Sequence, residues 1–394
     1  MEWLKRGLHS RKLVCPPRFH QSREEGRKAL SNEDVQRRVV VAVDPHKASW
    51  TAAVVDESLK PLASIRVPVS RQGYRTLRRF ARTWRATMWA IEGATGLGFT
   101  LTARLADDDV AVVDVPAKLA ARVRLLSTGH GRKNDDADAV SVGIAALTAS
   151  RLNTAAVDTA VTALRAVVDH RDDLVKTRTQ TINRLHVVLT NVVPGGARTD
   201  LTAERASAML RSVRPRDAAA KAFRGLAVDL TDEIRQLDRR IAKAARDIEI
   251  AVTASQTTLT QLHGIGTLTA AKILSRVGDI TRFRSTAAFA TYTGTAPIEV
   301  SSGDVIRHRL SRAGDRQLNS CLHVMALVQV RNHTEGHAYF LRKRAEGKSK
   351  QEAMRCLKRR LSDLVYRQMI RDHDQRQAGS GGHPGTALSS RVAG

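Results

Sequence analysis

Three short apolar stretches decide the fold of this chain: VVVAVD (Val39–Asp44), WTAAVVD (Trp50–Asp56) and SIRVPV (Ser64–Val69). The first is a continuous β-branched run that is too short for a helix, so it predicts a buried strand that ends in a carboxylate. The other two follow at hairpin spacing, and Pro68 is typical of an edge strand. The sequence therefore predicts three antiparallel strands in a row.

The stretches that follow alternate between helix and strand. A basic amphipathic helix is predicted around Gly73–Trp84, and strands are predicted at MWAIE (Met88–Glu92) and VAVVDV (Val110–Val115), with helical stretches between. Three antiparallel strands followed by β-α-β-α units describe an α/β layer of the ribonuclease H kind. We expect this domain to occupy residues 38–150.

A coiled-coil arm is expected at residues 151–258. Two long stretches there, from about Asn153 to Asn191 and from about Asp217 to Ser255, have apolar residues at helical spacing. The breaker at Pro194–Gly196 lies between them. Two amphipathic helices joined in this way predict an antiparallel pair, which is suited to a spacer, a dimer contact or a nucleic-acid support.

Three further regions complete the predicted organisation. Residues 259–370 are basic and punctuated by glycine, as expected of a helical C-terminal domain. Residues 1–37 have the composition of a flexible basic extension, and residues 371–394 that of a disordered tail. The predicted fold class is therefore α/β plus all-α.

The charge of the chain predicts a polyanionic partner. Its 394 residues include 65 Lys+Arg against 39 Asp+Glu, a formal net charge of +26. Nucleic acid is the expected partner, because each neutralised phosphate releases condensed counterions. A membrane surface is the rival, but no apolar run approaches the roughly 20 residues that span a bilayer, so no membrane association is expected. With 4% aromatic residues, a wall of base-stacking side chains is not expected either.

The cysteines and the N-terminal residues predict a location in the reducing cytoplasm. Cys15, Cys321 and Cys356 are far apart and odd in number, which argues against a disulfide framework and against a zinc site. The N-terminal residues are basic but lack the apolar core of a secretory signal.

Four carboxylates stand where a metal site is expected. Asp44 ends the first strand, Glu92 ends the fourth, which lies beside the first in this fold type, and Asp135 and Asp138 share one face of a helix start. Converging carboxylates repel one another unless cations neutralise them, and Mg²⁺ prefers such hard oxygen ligands. Each acid alone has a structural alternative, since helix starts favour Asp and Asp114 also ends a strand. The four together favour a Mg²⁺ site.

A glycine turn precedes a predicted helix in LHGIGTLTAAKILSRVG (Leu262–Gly278). Gly264 and Gly266 are both able to take positive φ and to leave backbone N–H groups free to grip a phosphate, as in helix-hairpin-helix modules. A purely structural turn between two helices is an equally good interpretation of so short a motif.

A serine loop follows, in which Pro297 and Gly303 bracket Ser301 and Ser302. A serine that attacks a phosphodiester must lose its proton and meet a phosphate whose developing charge is neutralised. Bidentate guanidinium groups supply the second need, whereas an ordinary polar turn is the alternative. Four arginines follow the loop: Arg307, Arg309, Arg312 and Arg316.

Several motifs, taken in order, resemble the DEDD transposases of bacterial insertion sequences, in the family numbered one hundred and ten. The resemblance covers roughly Val39 to Met369. It rests on VAVDPHK, AIEGATGLG, RKNDDADA, HGIGTLTAAKIL, APIEVSSG and RHRLSRAGDRQLN. The chain departs from the family at Asn134, where threonine is common, and at Leu97, where an aromatic residue is usual. Neither is an expected metal ligand.

The resemblance implies an RuvC-like N-terminal domain in which Asp44, Glu92, Asp135 and Asp138 bind metal. It also implies a C-terminal transposase domain in which Ser302, matched by its spacing from Pro297, forms a phosphoserine link to DNA. A structured guide RNA encoded by the element and a homo-oligomer, dimer or tetramer, are implied as further partners, in a bacterial cytoplasm.

Two alternatives remain open from the sequence. One is an RuvC-like nuclease in which metal-activated water attacks and Ser302 is structural. It predicts free DNA ends and cleavage that survives loss of that serine. The other is a nucleic-acid-binding protein with an inactive catalytic site. It predicts salt-sensitive binding that survives loss of both Asp44 and Ser302.

Overall fold

A computed structural model describes residues 38–84, 86–128, 135–155, 157–300, 308–309, 311 and 314–380. The described chain forms two compact units that divide between Val157 and Asp158. The predicted extension at 1–37 lies outside the described residues. No helix among the described residues is both long and apolar enough to cross a membrane.

The first unit is built on a six-stranded sheet with the order β3-β2-β1-β4-β5-β6. Its strands are β1 Val39–Pro45, β2 Ser49–Asp56, β3 Pro61–Pro68, β4 Ala86–Glu92, β5 Val112–Val115 and β6 Asn153–Thr154. Its helices are α1 Arg71–Arg82, α2 Phe99–Asp107, α3 Ala117–Thr128 and α4 Asp135–Thr148.

The strand pairing confirms the predicted α/β layer. Strands β1, β2 and β3 pair antiparallel, whereas β4 and β5 join β1 in parallel. Pro68 ends the edge strand β3, as its missing N–H requires. Strand β6 was not predicted, since Asn153 and Thr154 were assigned to the start of a helix. Two residues show no periodicity, and only their pairing with Asp114 and Val113 makes them a strand.

Both faces of the sheet are covered by helices, which explains the uninterrupted apolar run of β1. Val39, Val41 and Val43 pack with side chains of α1 and α2. Val40 and Ala42 face the other side and pack with residues of α3 and α4. Asp44 has the same parity as Val40 and Ala42, so β1 directs it towards the side that α3 and α4 cover.

Glycines set how closely α1 and α4 approach the sheet. A Cβ at Gly73 in α1 would lie 1.9 Å from the carbonyl oxygen of Pro68. A Cβ at Gly143 in α4 would lie 2.5 Å from Cγ2 of Val55 and 3.2 Å from Cβ of Ala42. The close packing of α4 fixes where its first turn, which carries Asp135 and Asp138, lies relative to β1.

Replacing Gly73 with Ala is expected to destabilise the protein by about 1–3 kcal/mol, because the methyl group meets backbone that cannot move aside. Gly225 is the matched control. It lies inside a long helix, residues Ala218–Ala254, and a Cβ there would meet no atom within 4 Å. The Gly225→Ala change should stabilise by about 0.5–1 kcal/mol through helix propensity. Urea unfolding of both variants measures the two effects, and equal midpoints would contradict the packing argument.

Among its described residues, the second unit is helical apart from one short hairpin. Its helices are α5 Thr159–Leu189, α6 Ala203–Ser212, α7 Ala218–Ala254, α8 Thr267–Val277, α9 Thr286–Tyr292, α10 Arg316–Arg331, α11 Glu335–Ala345 and α12 Lys350–Ser380. Two 3-10 turns, Leu259–Gln261 and Ile280–Arg282, precede α8 and α9. The hairpin strands are β7 Ile298–Glu299 and β8 His308–Arg309.

The two helices expected in the arm are present and run antiparallel. Leu185 of α5 shares a core with Ile234 of α7, whereas Leu164 at the start of α5 shares one with Ile248, further along α7. Asp217 caps α7 at the predicted start. Helix α5 begins later than predicted, where Asp158 caps it. Helix α6 was not predicted.

The base of the arm and the C-terminal helices share one hydrophobic core. Leu164 and Ile248 pack in the same cluster as Ile273, Met325 and Leu357. The described contacts therefore do not separate the arm from the C-terminal region at residue 258, and the predicted boundaries stay predictions.

Helix α12 continues to Ser380, so the predicted start of the disordered tail at 371 is too early. Asp372, which is 4% exposed, explains the extension. Its carboxylate accepts hydrogen bonds from the Thr257 hydroxyl (2.8 Å) and the Thr258 N–H (3.0 Å) and holds α12 against the end of the arm. Residues 381–394 lie outside the described chain.

Candidate active site

Two of the predicted carboxylates end neighbouring parallel strands. Val43 of β1 pairs with Ile91 of β4, so Asp44 and Glu92 follow this pair at the same edge of the sheet. Asp44 is buried, with 8% of its surface exposed. Because β1 and β4 are adjacent and parallel, the edge that carries the two acids is fixed by the sheet itself.

The other two carboxylates lie in the first turn of α4. Asp138 is buried, at 4% exposure, while Asp135 is half-buried and Asp136 is exposed. The N-terminal end of a helix favours negative charge, which partly offsets the cost of burying these acids. This arrangement follows the predicted face, on which Asp135 and Asp138 point together and Asp136 points away.

The charges of three carboxylates act on one another. Burial raises the pKa of Glu92 above its ordinary value, and the negative charges of Asp44 and Asp138 raise it further. The sheet edge and the start of α4 therefore bring Asp44, Glu92 and Asp138 within electrostatic reach of one another.

Three basic side chains surround these acids. Arg124 of α3 forms an ion pair and hydrogen bond with Asp138, which raises the pKa of Arg124. Arg66 Nη1 of β3 lies 2.6 Å from Oδ2 of Asp135. His46 Nε2 lies 3.3 Å from Asp44 Oδ2 and 3.6 Å from Asp135 Oδ1, so this imidazole links the strand acid to the helix acid.

The sequence analysis missed His46, Arg66 and Arg124. A signal for Arg66 exists in the strand register: Asp44 pairs with Thr51, and Thr51 pairs with Arg66. The three side chains form one row across β1, β2 and β3 and therefore share a face. His46 follows Asp44 by two residues in VAVDPHK. Arg124 carried no sequence signal, because its partner Asp138 lies on another helix.

The donor chemistry of this cluster fits a divalent cation. All the acidic donors are carboxylate oxygens, which Mg²⁺ prefers. Burial raises the pKa of Glu92, and the neighbouring negative charges, which a cation would neutralise, raise it further. The hydroxyl of Thr51 is buried beside Asp44 in the strand row and makes no hydrogen bond to the described residues. Within the described chain, no group of three or more His, Cys, Asp or Glu side chains is arranged so that it could hold a metal ion. Arg124 and Arg66 instead occupy oxygens of Asp138 and Asp135.

The Glu92→Gln variant is expected to be more stable than the wild type without Mg²⁺. Folding raises the pKa of Glu92, so the protonated form favours the folded state, and stability falls as pH rises through that raised pKa. Removing the charge should raise the Tm at neutral pH by about 2–4 °C and remove this pH dependence. Mg²⁺ should raise the Tm of the wild type but not of Glu92→Gln. Thermal melts test this, with exposed Glu57→Gln as control. A lower Tm for Glu92→Gln would show that the buried charge of Glu92 does not destabilise the fold.

Asp114 has a structural role in the fold. Its Oδ1 accepts a hydrogen bond from the N–H of Ala94 at 2.8 Å, directly after the Glu92-Gly93 bend. Asp114 therefore ties the end of β5 to the turn that follows β4, and helps to fix the position of Glu92.

The glycine turn of the second unit differs from the prediction at one position. Gly264 has φ 92°, and a Cβ there would lie 3.0 Å from the carbonyl oxygen of Met325 in α10, so this glycine is needed for packing. Gly266 was expected to allow positive φ but has φ −88° and precedes α8 in an extended conformation. A Cβ at Gly266 would meet no atom within 4 Å, so its surroundings are open.

In the sequence, Ser301 and Ser302 lie between the two strands of the hairpin, β7 and β8. Ile298 pairs with Arg309 and Glu299 with His308. Ser301, Ser302, Arg307 and Arg312 lie outside the described residues. Arg309 is exposed on β8, and Arg316 is exposed at the first position of α10.

A hydrogen-bonded clamp joins the segments before and after the hairpin; it consists of Tyr292 to Gly294 with Gly314, Asp315, Asn319 and Lys358. The Asp315 N–H donates to the Tyr292 carbonyl at 2.7 Å. Asn319 Nδ2 donates to the carbonyls of Thr293 and Gly294, both at 3.0 Å, and Lys358 Nζ donates to Asn319 Oδ1 at 2.6 Å.

Glycine is required at the closest approach in this clamp. Gly314 has φ 103°, and a Cβ there would lie 2.6 Å from the Gly294 nitrogen. Gly314, Asp315 and Asn319 lie in the motif RHRLSRAGDRQLN, but the sequence did not indicate the clamp, because Asn319 and Lys358 meet only through the packing of α10 and α12.

Comparison with known proteins covers both units. Residues 41–194, which include all four carboxylates, match a family model of IS110-type DEDD transposases described as "Transposase". Residues 256–341, which include the glycine turn and the serine loop, match the model described as "Transposase IS116/IS110/IS902 family".

Three insertion-element proteins are similar in sequence. The "Insertion element IS116 uncharacterized 44.8 kDa protein" of Streptomyces clavuligerus is 27% identical over 384 residues, covering 85% of this chain and 95% of the relative. The IS110 protein of Streptomyces coelicolor is 36% identical over 115 residues, 29% of this chain and 28% of the relative. The IS900 protein of Mycobacterium paratuberculosis is 32% identical over 114 residues, 28% of each.

The matches to both family models, together with the ribonuclease H-like sheet and the helical second unit, define a transposase, an enzyme that cuts and transfers DNA. The chain belongs to the IS110 family of DEDD transposases, which insertion sequences encode. DNA is therefore its partner.

Proposed function

We propose that this transposase cuts and rejoins DNA with two groups of residues. A Mg²⁺-binding tetrad consists of Asp44, Glu92, Asp135 and Asp138, and Ser302 is the nucleophile. The observation that carries the metal site is the placement of acids from β1, β4 and α4 at one edge of the sheet, where burial raises the pKa of Glu92 and the charges of Asp44 and Asp138 raise it further. A group perturbed in this way by specific neighbours is typical of a functional site.

Within the tetrad, Asp44, Glu92 and Asp138 are the principal ligands, and Asp135 completes the set. Bound Mg²⁺ would supply Lewis-acid polarisation of the scissile phosphate. Arg124 neutralises Asp138, and the contacts of Arg124 and His46 hold the carboxylates of Asp138 and Asp44 in place. Arg66 does the same for Asp135.

The proposed chemical step is a displacement at phosphorus. Ser302 Oγ forms a bond to the phosphorus and loses its proton to solvent, while the bond to the leaving deoxyribose oxygen breaks and that oxygen takes up a proton. The reverse reaction with a hydroxyl of the second DNA strand reseals the backbone. The phosphoserine bond conserves the energy of the phosphodiester, and the sequence has no G-x-x-x-x-G-K-[ST] loop for ATP.

Arginines on the C-terminal side of Ser302 are proposed to oppose the charge that develops on the phosphate. Arg309 and Arg316 support this role, since both are exposed, Arg309 on β8 and Arg316 at the start of α10. Arg307 and Arg312 are assigned the same role from their place in the sequence. Of the glycine turn, the open Gly266 is the proposed backbone contact to a phosphate, whereas Gly264 supports the turn by packing.

RNA guidance and oligomerisation belong to the same proposal. The net charge of +26 suits a complex with DNA and a structured RNA together. The family resemblance supports a guide RNA encoded by the element and a dimer or tetramer as the working state. The predicted regions at 38–150, 151–258 and 259–370 are the proposed metal, arm and serine domains.

Strand exchange between two plasmids tests the proposal. One plasmid carries the joined element ends and the other a target site, and the full-length protein is added with Mg²⁺ and the transcribed flanking RNA. Recombinant plasmids are expected only when the protein, Mg²⁺ and RNA are all present. Recombination without the RNA would show that the reaction is not guided by RNA. If linear DNA were the only product, the result would favour a metal-dependent nuclease.

A further inference from the structure

Helix α1 carries a row of arginines on a surface remote from the carboxylate cluster. Its sequence, RQGYRTLRRFAR, contains five arginines and no acidic residue. At 3.6 residues per turn, all five fall within an arc of about 100°, on a stripe about 16 Å long. The row consists of Arg71, Arg75, Arg78, Arg79 and Arg82.

The opposite side of α1 is anchored in the protein. Leu77 and Ala81 are buried with Val39, Val41 and Val43 on one face of the sheet. Asp44 has the other parity, so the carboxylate cluster belongs to the face covered by α3 and α4. The arginine row is therefore separated from the proposed metal site by the thickness of the sheet.

Most of the row has no anionic partner among the described residues. Arg78 is held by Asp108, with Nε 3.2 Å from Oδ2. Arg71, Arg75, Arg79 and Arg82 are exposed and form no ion pair with the described part of the chain. Helices α5 and α7 differ, since there Arg178 pairs with Asp238 and Lys243 with Asp247.

The geometry suits a phosphate backbone rather than unpaired bases. Guanidinium groups make bidentate contacts to phosphates, and a duplex segment as long as the row carries about ten phosphates. Unpaired bases need exposed aromatic rings to stack on. The aromatic residues of α1, Tyr74 and Phe80, are half-buried, and the Tyr74 hydroxyl donates to Asp108 at 2.6 Å.

We propose that the arginine row of α1 binds the backbone phosphates of duplex DNA outside the segment that is cut. This inference rests on the proposed function only in taking DNA as the polymer that the chain holds during the reaction. The interaction is independent of base sequence. One side of α1 packs on the sheet, and the arginines on its other side contact phosphates rather than base edges.

Fluorescence anisotropy with a labelled DNA duplex tests the row on the full-length chain. Measurements in EDTA at several NaCl concentrations keep binding separate from cleavage, so an inactive serine or metal site cannot mimic the outcome. The variant with Arg71, Arg75, Arg79 and Arg82 changed to Gln is expected to bind roughly 10- to 100-fold more weakly. The slope of log affinity against log salt should become shallower by about 0.9 for each phosphate that is no longer neutralised, or about 2–4 in total.

Two matched variants separate a specific surface from general charge. Lys at the same four positions keeps the charge but loses the bidentate contacts, so it should keep the wild-type salt slope to within about one while binding more weakly than the wild type and more tightly than the Gln variant. The second variant removes four exposed charges of α7, changing Lys221, Arg239, Arg240 and Arg246 to Gln. It should change the salt slope by less than about one. An equal loss of affinity in both Gln variants would show that binding depends on the net charge of the protein and not on the position of the arginines, and it would overturn the proposal.

Further outcomes are decisive. The proposal would be overturned if the α1 Gln variant kept the affinity and the salt slope of the wild type. It would also be overturned if this variant bound an RNA duplex of the same length more weakly while its binding to DNA was unchanged. If the fourfold variant has a lowered Tm, the Arg71→Gln/Arg75→Gln and Arg79→Gln/Arg82→Gln pairs are measured instead. Each pair is expected to reduce the slope by about 1–2.

Discussion

The Asp138→Asn variant is expected to cleave DNA about 10³-fold more slowly than the wild type, a loss of about 4 kcal/mol of transition-state stabilisation. Asp138 is 4% exposed and lies within electrostatic reach of Glu92. Asn has nearly the same shape but supplies no negative charge, so the site should lose its affinity for Mg²⁺ while the fold is kept. Single-turnover cleavage of element-end DNA at saturating protein measures the effect.

Asp136→Asn is the matched control for this prediction. Asp136 lies in the same first turn of α4 but is exposed, so the substitution removes the same charge two residues away. Its cleavage rate should stay within about threefold of the wild type, because helix-end charge effects on exposed residues are small. If both variants lost the same amount of cleavage activity, the total charge at the start of α4 would explain the effect, and Asp138 would not be a metal ligand.

The second large effect is expected for Ser302→Ala, which should abolish strand exchange, a loss of at least about 10⁴-fold. The substitution removes the attacking oxygen and leaves the clamp of Asn319 and Lys358 intact. DNA affinity should therefore stay within about twofold, since a serine hydroxyl adds little to phosphate binding. Ser301→Ala is the matched control and should keep recombination. A Ser302→Ala protein that still recombines would contradict the assignment.

The framework of the first unit was predictable because it depends on local patterns. The β-branched run of β1 and the hairpin spacing of β2 and β3 are visible within a few residues, and both are confirmed. Asp44 and Glu92 could be placed together since the carboxyl ends of neighbouring parallel strands share an edge. Strand β6 could not be found, because it exists only through its pairing with β5.

The charge balance of the site was not predictable to the same extent. Arg124 and Asp138 meet only because α3 and α4 pack against each other on the sheet. Arg66 required the strand register as well as the strand itself. The closeness of α4 to β2 depends on Gly143, and a glycine within a helix gives no indication of what it faces.

In the second unit, the clamp could not be predicted from the sequence either. Lys358 lies on α12, far along the chain from Thr293 and Gly294, and its partner Asn319 lies on α10. A lysine in an amphipathic helix is usually expected to extend its ammonium group into solvent. Lys358 is instead buried. Here burial lowers the pKa of Lys358, and its ammonium group holds the amide that in turn holds the loop base.

Trapping of a covalent protein–DNA adduct tests the central claim most directly. Full-length protein is incubated with labelled element-end DNA, Mg²⁺ and the flanking RNA, then denatured and analysed by gel and by mass spectrometry of the peptide that contains residues 301 and 302. The account predicts a DNA-linked peptide modified at Ser302, present in the wild type and Ser301→Ala and absent in Ser302→Ala and Asp44→Ala. Cleaved DNA with no adduct, still formed by Ser302→Ala, would contradict the account and leave a metal-dependent nuclease.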